Sequence, residues 1–131
     1  MKKEERYIVF PGYIFLESSI GTNDVLNYVK KLSRVCRNVI NILKYGDTDE
    51  IAMRWEERFI LMGFLGKNYC IKASKGYKKN GIVTITEGPL VGHEGKIKKI
   101  DRHKMKAWVE IKICEKNILF ELGLQVILHP N

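Results

Sequence analysis

Basic side chains crowd the middle of this 131-residue chain in a pattern suited to binding phosphate groups. Between residues 67 and 106 there are eleven lysines and arginines but three acidic residues, an excess of eight that equals the formal net charge of the whole chain, +8. A local excess of this size is the usual electrostatic footprint of a nucleic-acid partner. A solvated, solubilising face is the alternative that composition alone leaves open.

The densest part of this excess lies on a predicted strand, the turn after it and the start of the next strand. In a hairpin these residues become neighbours and form one cationic rim, which would hold RNA through its phosphates. By alternation along the second strand, Trp108 points to the same side as Lys106 and Lys112, where its ring could stack on an unpaired base. Packing over one end of the fold is the alternative for Trp108. The candidate RNA-binding residues are Lys96, Lys98, Lys99, Arg102, His103, Lys104, Lys106, Trp108 and Lys112.

The sequence gives little support for catalysis, metal binding or membrane association. No nucleophile is paired with a base in a recognisable motif, so we expect a protein that is not an enzyme and needs no cofactor. The three cysteines and three histidines are scattered, which predicts neither a metal site nor a disulfide framework. No apolar run reaches membrane-spanning length and the charged start does not resemble a signal peptide, so we expect a cytoplasmic protein without a membrane or small-molecule partner.

The elements that position the rim are predicted to be short strands. Val83–Thr86 alternates with period two, a turn with three glycines follows, and a lysine-rich strand ends near Asp101. Met105–Cys114 is a long alternating strand with Ala107, Val109, Ile111 and Ile113 on one face. Ile118–Leu122 and Gln125–Leu128 are two further short strands. Five short strands in this space predict a small all-β barrel.

The first half of the chain has a mixed pattern. Tyr7–Leu16 is apolar and interrupted by Pro11-Gly12, which predicts two short strands meeting at a kink. Thr22 is placed as the N-cap of an amphipathic helix that continues to about Val35. A second helix is predicted with Ile51, Trp55, Phe59 and Met62 as a buried stripe. Residues 67–81 contain few large apolar side chains and are predicted to be a linker.

Three motifs resemble the NusG family of transcription factors. VTITEGPLVGHEGKIKKIDRHK (Val83–Lys104) resembles the KOW motif, FELGLQVI (Phe120–Ile127) the closing strand of the KOW barrel, and FPGYIFLE (Phe10–Glu17) the Phe-Pro-Gly-Tyr strand of the N-terminal domain. The resemblance implies an α+β N-terminal domain, an antiparallel sheet with helices, over residues 1–66, the linker at 67–81 and the KOW barrel at 82–131. The first strand and helix of the family domain have no counterpart here, and we expect the N-terminal domain to be incomplete.

The resemblance also implies two partners. In the family the N-terminal domain binds the clamp helices of RNA polymerase, and the matching residues are Phe10, Pro11, Gly12 and Tyr13; a plain core role is the alternative for the two aromatic residues. IDRHKMKAWVEI (Ile100–Ile111) and SKGY (Ser74–Tyr77) are more similar to LoaP-type antiterminators. Lys112 stands where the general family tends to carry an exposed phenylalanine for protein partners, which favours an RNA partner.

The resemblance therefore implies a transcription elongation and antitermination factor. Its N-terminal domain would bind RNA polymerase and its KOW domain a nascent leader RNA, most simply a hairpin, so that terminators are read through. The alternatives are a KOW-containing, ribosome-associated RNA-binding protein and a general NusG-type factor in pausing or Rho coupling.

Overall fold

The fold is a five-stranded mixed sheet with two helices before it. The computed structural model describes residues 6–38, 41–46, 48, 50–66 and 68–128. Helix α1 spans Thr22–Val35 and α2 spans Trp55–Phe64. The strands are β1 (Ser74–Lys79), β2 (Ile82–Glu87), β3 (Ile97–Asp101), β4 (Lys106–Ile113) and β5 (Lys116–Leu128), with a 3₁₀ turn at Glu94–Lys96.

The strand order in the sheet is β2-β1-β5-β4-β3. β1 pairs antiparallel with β2 and parallel with β5, whereas β5 pairs antiparallel with β4, and β4 with β3. The strand predicted at Gln125–Leu128 is the second half of β5, so the break expected after Leu122 was wrong. β5 stays continuous because it changes partner there: it pairs with β4 as far as Gly123 and with β1 from Leu124 onward.

The β1–β2 hairpin was missed by the sequence analysis. β1 lies inside the predicted linker, because its short polar sequence SKGYKK lacks an apolar alternation. The turn is Asn80-Gly81, with φ of 52° and 80°, the pair of residues that most readily adopts a tight type I′ hairpin turn. The division into domains at residues 66 and 82 stays a prediction, as does closure of the sheet into a barrel.

The loop after β2 is fixed to β1 by a close approach. Gly88 has φ of 98°, and a Cβ there would lie 2.6 Å from the Ser74 side chain. Leu90, which is fully buried, donates its backbone N–H to Ser74 Oγ at 3.0 Å. Glycine is therefore required at residue 88 for both its backbone angle and the space it leaves.

One face of the sheet carries the core. Ala107, Val109, Ile111 and Ile113 are all buried, as the alternation predicted. Side chains from the first half of the chain complete this core from the same side of the sheet. They are Phe10, Tyr45, Leu61 and Phe64.

The prediction for α2 was wrong about the side that is buried. Trp55 and Phe59 are 69% and 66% exposed, and their rings pack on each other at 5.6 Å between centroids. Leu61 and Phe64 face the core instead. Because large apolar residues lie on several sides of this helix, the sequence pattern did not single out the buried one.

The strands predicted in Tyr7–Leu16 were also wrong. The structure shows no strand before Ser74 in the ranges that it describes, so the antiparallel sheet expected in the N-terminal domain is not seen there. Phe10–Tyr13 instead forms a turn in which Tyr13 donates its N–H to the Phe10 carbonyl at 3.1 Å. Pro11 followed by Gly12 with φ of 83° gives the geometry of a type II turn.

Helix α1 has nearly the predicted bounds, but a different first residue. Gly21 is the N-cap and Thr22 is the first helical residue. Tyr28 and Leu32 are 60% and 43% exposed, so part of the apolar side of α1 faces solvent.

Candidate nucleic-acid interface

The tip of the β3–β4 hairpin presents three of the predicted RNA-binding residues to solvent. Arg102, His103 and Lys104 are exposed and follow one another in the turn between the strands. Asp101 shapes this turn, because its Oδ1 accepts the backbone N–H of Lys104 at 3.0 Å. That hydrogen bond is the main cause of the lowered pKa of Asp101, which keeps the carboxylate charged and the turn closed.

Two more members of the set lie behind the tip on adjacent strands. Lys99 of β3 pairs with Trp108 of β4, and its Nζ lies 5.1 Å from the centroid of the indole ring. This is a cation–π distance. Trp108 is half-buried and lies on the face of β4 opposite the core, together with Lys106. The alternation of β4 therefore places Trp108 on the predicted side.

Lys98 and Lys96 occupy different local environments. The pairing of β3 with β4 shifts between Ile97 and Lys99, so the exposed Lys98 lies in a bulge. Lys96 ends the 3₁₀ turn and is half-buried, with its backbone N–H donating to the His93 carbonyl at 2.9 Å. Both residues lie behind the tip, Lys98 within β3 and Lys96 directly before this strand, six residues before Arg102.

Lys112 does not join the rim. It lies on the face of Lys106 and Trp108 but pairs with Asn117 beside the β4–β5 turn. Four residues of strand separate it from Trp108, which corresponds to about 14 Å. The structure therefore groups Arg102, His103 and Lys104 at the tip, with Lys99, Lys106 and Trp108 on the strands behind it, and leaves Lys96 and Lys98 further back toward the start of β3 and Lys112 at the far end of β4.

The N-terminal segment supplies a side chain that the sequence analysis did not assign to this surface. The Nζ of Lys106 lies 5.3 Å from the ring centroid of Tyr7 and 3.2 Å from Glu121 Oε2. The Tyr7 hydroxyl donates to the backbone carbonyl of Glu121 at 3.5 Å. Burial is the main cause of the raised pKa of Tyr7, so its hydroxyl stays protonated at neutral pH. Because these residues are about a hundred positions apart, no local pattern could have indicated the contact.

Of the four predicted polymerase-binding residues, one is buried in the core and three are exposed. Phe10 is 8% exposed and packs on Phe120 of β5 at 4.7 Å between ring centroids. Pro11, Gly12 and Tyr13 are exposed in the turn that follows. The structure therefore gives Phe10 the core role that was its alternative, and leaves Tyr13 as the aromatic residue of the turn that a partner can reach.

A carboxylate from α2 fixes the opposite end of β4. Glu57 accepts hydrogen bonds from the Tyr45 hydroxyl, from the backbone N–H of Cys114 at 2.9 Å and from that of Glu115 at 3.3 Å. Burial acts to raise the pKa of Glu57, but these hydrogen bonds outweigh it and the pKa is lowered. Burial, followed by the Glu57 contact, raises the pKa of Tyr45. Through these hydrogen bonds Glu57 joins α2 to the sheet.

Two further searches concern only the ranges that the structure describes. Among those residues, no group of three or more histidine, cysteine or acidic side chains is placed to hold a metal ion. None of the helices there has the length and apolar character needed to cross a lipid bilayer.

Comparison with known proteins adds two matches. Residues 79–112 match the KOW motif, a range that runs from the end of β1 to Lys112 in β4. The chain is also 24% identical, over 129 residues, to the transcription termination/antitermination protein NusG of Thermus thermophilus; the alignment covers 97% of this chain and 70% of that protein. Together the matches support the broad NusG and KOW resemblance. Neither distinguishes the LoaP-type subgroup, which stays a prediction.

Proposed function

We propose that this protein is a transcription elongation and antitermination factor of the LoaP type. Its N-terminal part binds the clamp helices of RNA polymerase and its KOW region binds a hairpin in the nascent leader RNA. Holding both at once keeps the polymerase moving through terminators. The observation that carries this proposal is that similarity to a NusG protein extends over 97% of the chain, including the segment before the KOW motif.

The RNA arm of the proposal is supported by the hairpin tip. Arg102, His103 and Lys104 are exposed, their turn is held by the Asp101 carboxylate and by a backbone hydrogen bond, and no acidic side chain follows until Glu110. Side chains of this kind contact phosphates and position RNA without reading its sequence. Each phosphate contact that is lost lowers the salt dependence of binding.

The polymerase arm is supported by the Phe10–Tyr13 turn. Phe10 is anchored in the core, so the turn is held against the sheet and Tyr13 projects from a fixed base. Tyr13 is 40% exposed, enough for its ring to pack on a partner. Aromatic side chains that protrude from a supported turn are common centres of protein interfaces.

Terminator read-through in a purified transcription reaction tests the function. The reaction contains the host polymerase and a template whose leader precedes a terminator, and compares the protein with two variants. Tyr13→Ala removes the exposed ring of the turn, and Arg102→Gln with Lys104→Gln removes two charges of the tip. We expect the protein to increase full-length transcript and both variants to lose most of that increase.

Two matched controls make the result specific. Tyr28→Ala removes an exposed tyrosine from α1, and Lys30→Gln with Lys31→Gln removes two exposed charges from the same helix. Both control variants should increase full-length transcript as much as the unchanged protein does. No increase with any template would contradict antitermination, and a decrease in full-length transcript would favour a general NusG-type role in termination, in keeping with the full name of the Thermus relative.

A further inference from the structure

We propose that Tyr7 and Trp108 form a two-ring stacking platform for neighbouring unpaired RNA bases. The platform lies on the outer face of β4 and β5, behind the hairpin tip. This inference rests on the proposed RNA binding and deepens it, because it names the form of RNA that is recognised: single-stranded nucleotides, such as those of a loop, as opposed to paired ones. It also gives the N-terminal segment a part in RNA binding.

Tyr7 and Trp108 both lie near Lys106. Its Nζ lies 5.3 Å from the Tyr7 ring centroid, and its backbone is two residues from Trp108 on the same face of β4. Two residues along a strand correspond to about 7 Å. Both rings also adjoin Glu121, because the Tyr7 hydroxyl contacts its carbonyl and Trp108 is its strand partner, so we infer that neighbouring splayed bases can reach both rings.

Each ring has neighbours that orient it and a solvent-facing part. Tyr7 is 46% exposed and is tethered to β5 through its hydroxyl, which donates to the Glu121 carbonyl at 3.5 Å. Trp108 is half-buried between its strand partners Lys99 and Glu121. Aromatic rings held in place by their neighbours lose little conformational entropy when a base stacks on them.

The charges around the rings favour stacking over phosphate binding. Lys106 is paired with Glu121 at 3.2 Å, and Glu110 lies on the same face of β4. Lys99 is drawn toward the indole ring of Trp108 at 5.1 Å. Since the carboxylates offset the lysines, this area attracts phosphate weakly, in contrast to the tip. Bases inside a duplex have no free faces, so the platform selects unpaired RNA.

Fluorescence titration of the full chain tests the platform directly. Trp55→Phe removes the other tryptophan, so the emission reports on Trp108 alone. The probes are a twelve-nucleotide oligoadenylate strand and a twelve-base-pair RNA duplex of mixed sequence. We expect the single strand to quench Trp108 and the duplex to leave it unchanged. Tyr7→Ala should weaken binding of the single strand by about tenfold, a typical loss for one stacked base.

Three substitutions at Tyr7, each measured at several salt concentrations, distinguish a loss of base stacking from a loss of charge or of folding. Tyr7→Leu keeps apolar bulk without an aromatic face and should weaken binding as much as Tyr7→Ala, whereas Tyr7→Phe keeps the aromatic face, loses the hydroxyl contact and should lose less affinity than either. None of the three should change the slope of affinity against salt concentration. Arg102→Gln with Lys104→Gln should lower that slope.

The outcomes distinguish this inference from the function on which it rests. If the tip variant weakens binding and the Tyr7 variants do not, the platform is wrong and RNA binding by the tip stands. Equal affinity for the duplex and the single strand would also overturn the platform. If neither probe binds the unchanged protein, both the platform and the RNA arm of the proposed function fail.

Discussion

The two ends of β4 show how differently two turns of one strand can be stabilised. The tip turn before β4 is closed mainly by local hydrogen bonds, with Asp101 accepting from the backbone of Lys104 and Arg102 from that of Met105, and it has one residue at positive φ, Met105 at 53°. The turn after β4 has both Cys114 and Glu115 at positive φ, 49° and 64°, which is unfavourable for residues other than glycine and asparagine. It is held by Glu57 of a helix far away in the sequence.

The difference between the two turns explains why the tip end of β4 is suited to binding RNA and the other end is not. The hydrogen bonds that hold the tip turn all go to its backbone, including one from Leu124 of β5 to the Met105 carbonyl at 2.9 Å, so its three basic side chains can all face a partner. The β4–β5 turn is held by the Glu57 carboxylate, which accepts from the backbone of Cys114 and Glu115 and lies where phosphate would have to approach. Binding is therefore expected at the tip end of β4, while the other end joins the two halves of the chain.

Glu57→Ala should produce the largest effect on stability. It leaves the backbone N–H groups of Cys114 and Glu115 and the Tyr45 hydroxyl without their acceptor. We expect a loss of about 2–4 kcal/mol in the free energy of unfolding, measured by urea denaturation. Glu56→Ala is the matched control, since Glu56 is exposed on the same helix, and should change stability by less than about 0.5 kcal/mol. Equal losses in the two variants would show that Glu57 does not hold the turn.

Acid should weaken the same contact. Because the pKa of Glu57 is lower in the folded protein than in the unfolded chain, its stabilising contribution is present above the unfolded pKa of about 4.5 and is lost as the pH falls through the folded value. Urea denaturation at several pH values below 5 should show a steeper loss of stability for the unchanged protein than for Glu57→Gln. Parallel curves would argue against a charged Glu57 in the folded state.

Arg102→Gln with Lys104→Gln should have the next largest effect, on RNA affinity. Loss of two phosphate contacts should weaken binding by about tenfold at moderate salt and lower the slope of affinity against salt concentration by about one to two. Filter binding at several salt concentrations measures both quantities. The double variant Lys30→Gln, Lys31→Gln removes the same charge from α1, and an equal loss there would show that net charge, not the tip, determines binding.

Glu115→Gly should stabilise the turn relative to Glu115→Ala. Both variants lose the ion pair with Arg54, which joins atoms 3.1 Å apart, but glycine adopts positive φ at no steric cost. We expect the glycine variant to unfold with a free energy about 1 kcal/mol higher than that of the alanine variant. Thermal denaturation of the two proteins compares them, and identical midpoints would mean that Glu115 carries no backbone strain.

Lys112→Gln should have the smallest effect. Lys112 lies at the end of β4 away from the tip, so its loss should change RNA affinity by less than about twofold and leave the salt slope unchanged. Filter binding compares the RNA affinity of Lys112→Gln with that of Arg102→Gln alone. A loss as large as that of Arg102→Gln would extend the RNA-binding surface along the whole strand.

The parts of this molecule that the sequence predicted correctly are those with local causes. The alternation in β4 identified its buried face, because each second side chain must enter the core. The basic tip was found because its residues are consecutive. The glycines of the KOW-like stretch indicated a compact turn, and Gly88 is required there by its contact with Ser74.

The parts that were missed depend on contacts between distant residues. β1 has an unremarkable polar sequence and is a strand because β2 and β5 pair with it. α2 buries Leu61 and Phe64 instead of Trp55 and Phe59 because Glu57 and Phe120 determine which side meets the sheet. Tyr7 meets β4 and β5 through Lys106 and Glu121, contacts that no spacing in the sequence can indicate.

The most direct test of the central claim is retention of the protein on stalled elongation complexes. Immobilised host polymerase is stalled either before or after the leader RNA has emerged, washed, and assayed for bound protein. The account predicts retention on complexes with emerged leader, loss of retention with Arg102→Gln plus Lys104→Gln, and a similar loss with Tyr13→Ala. Retention that is the same before and after the leader emerges, or unaffected by either variant, would contradict a protein that holds polymerase and RNA at once.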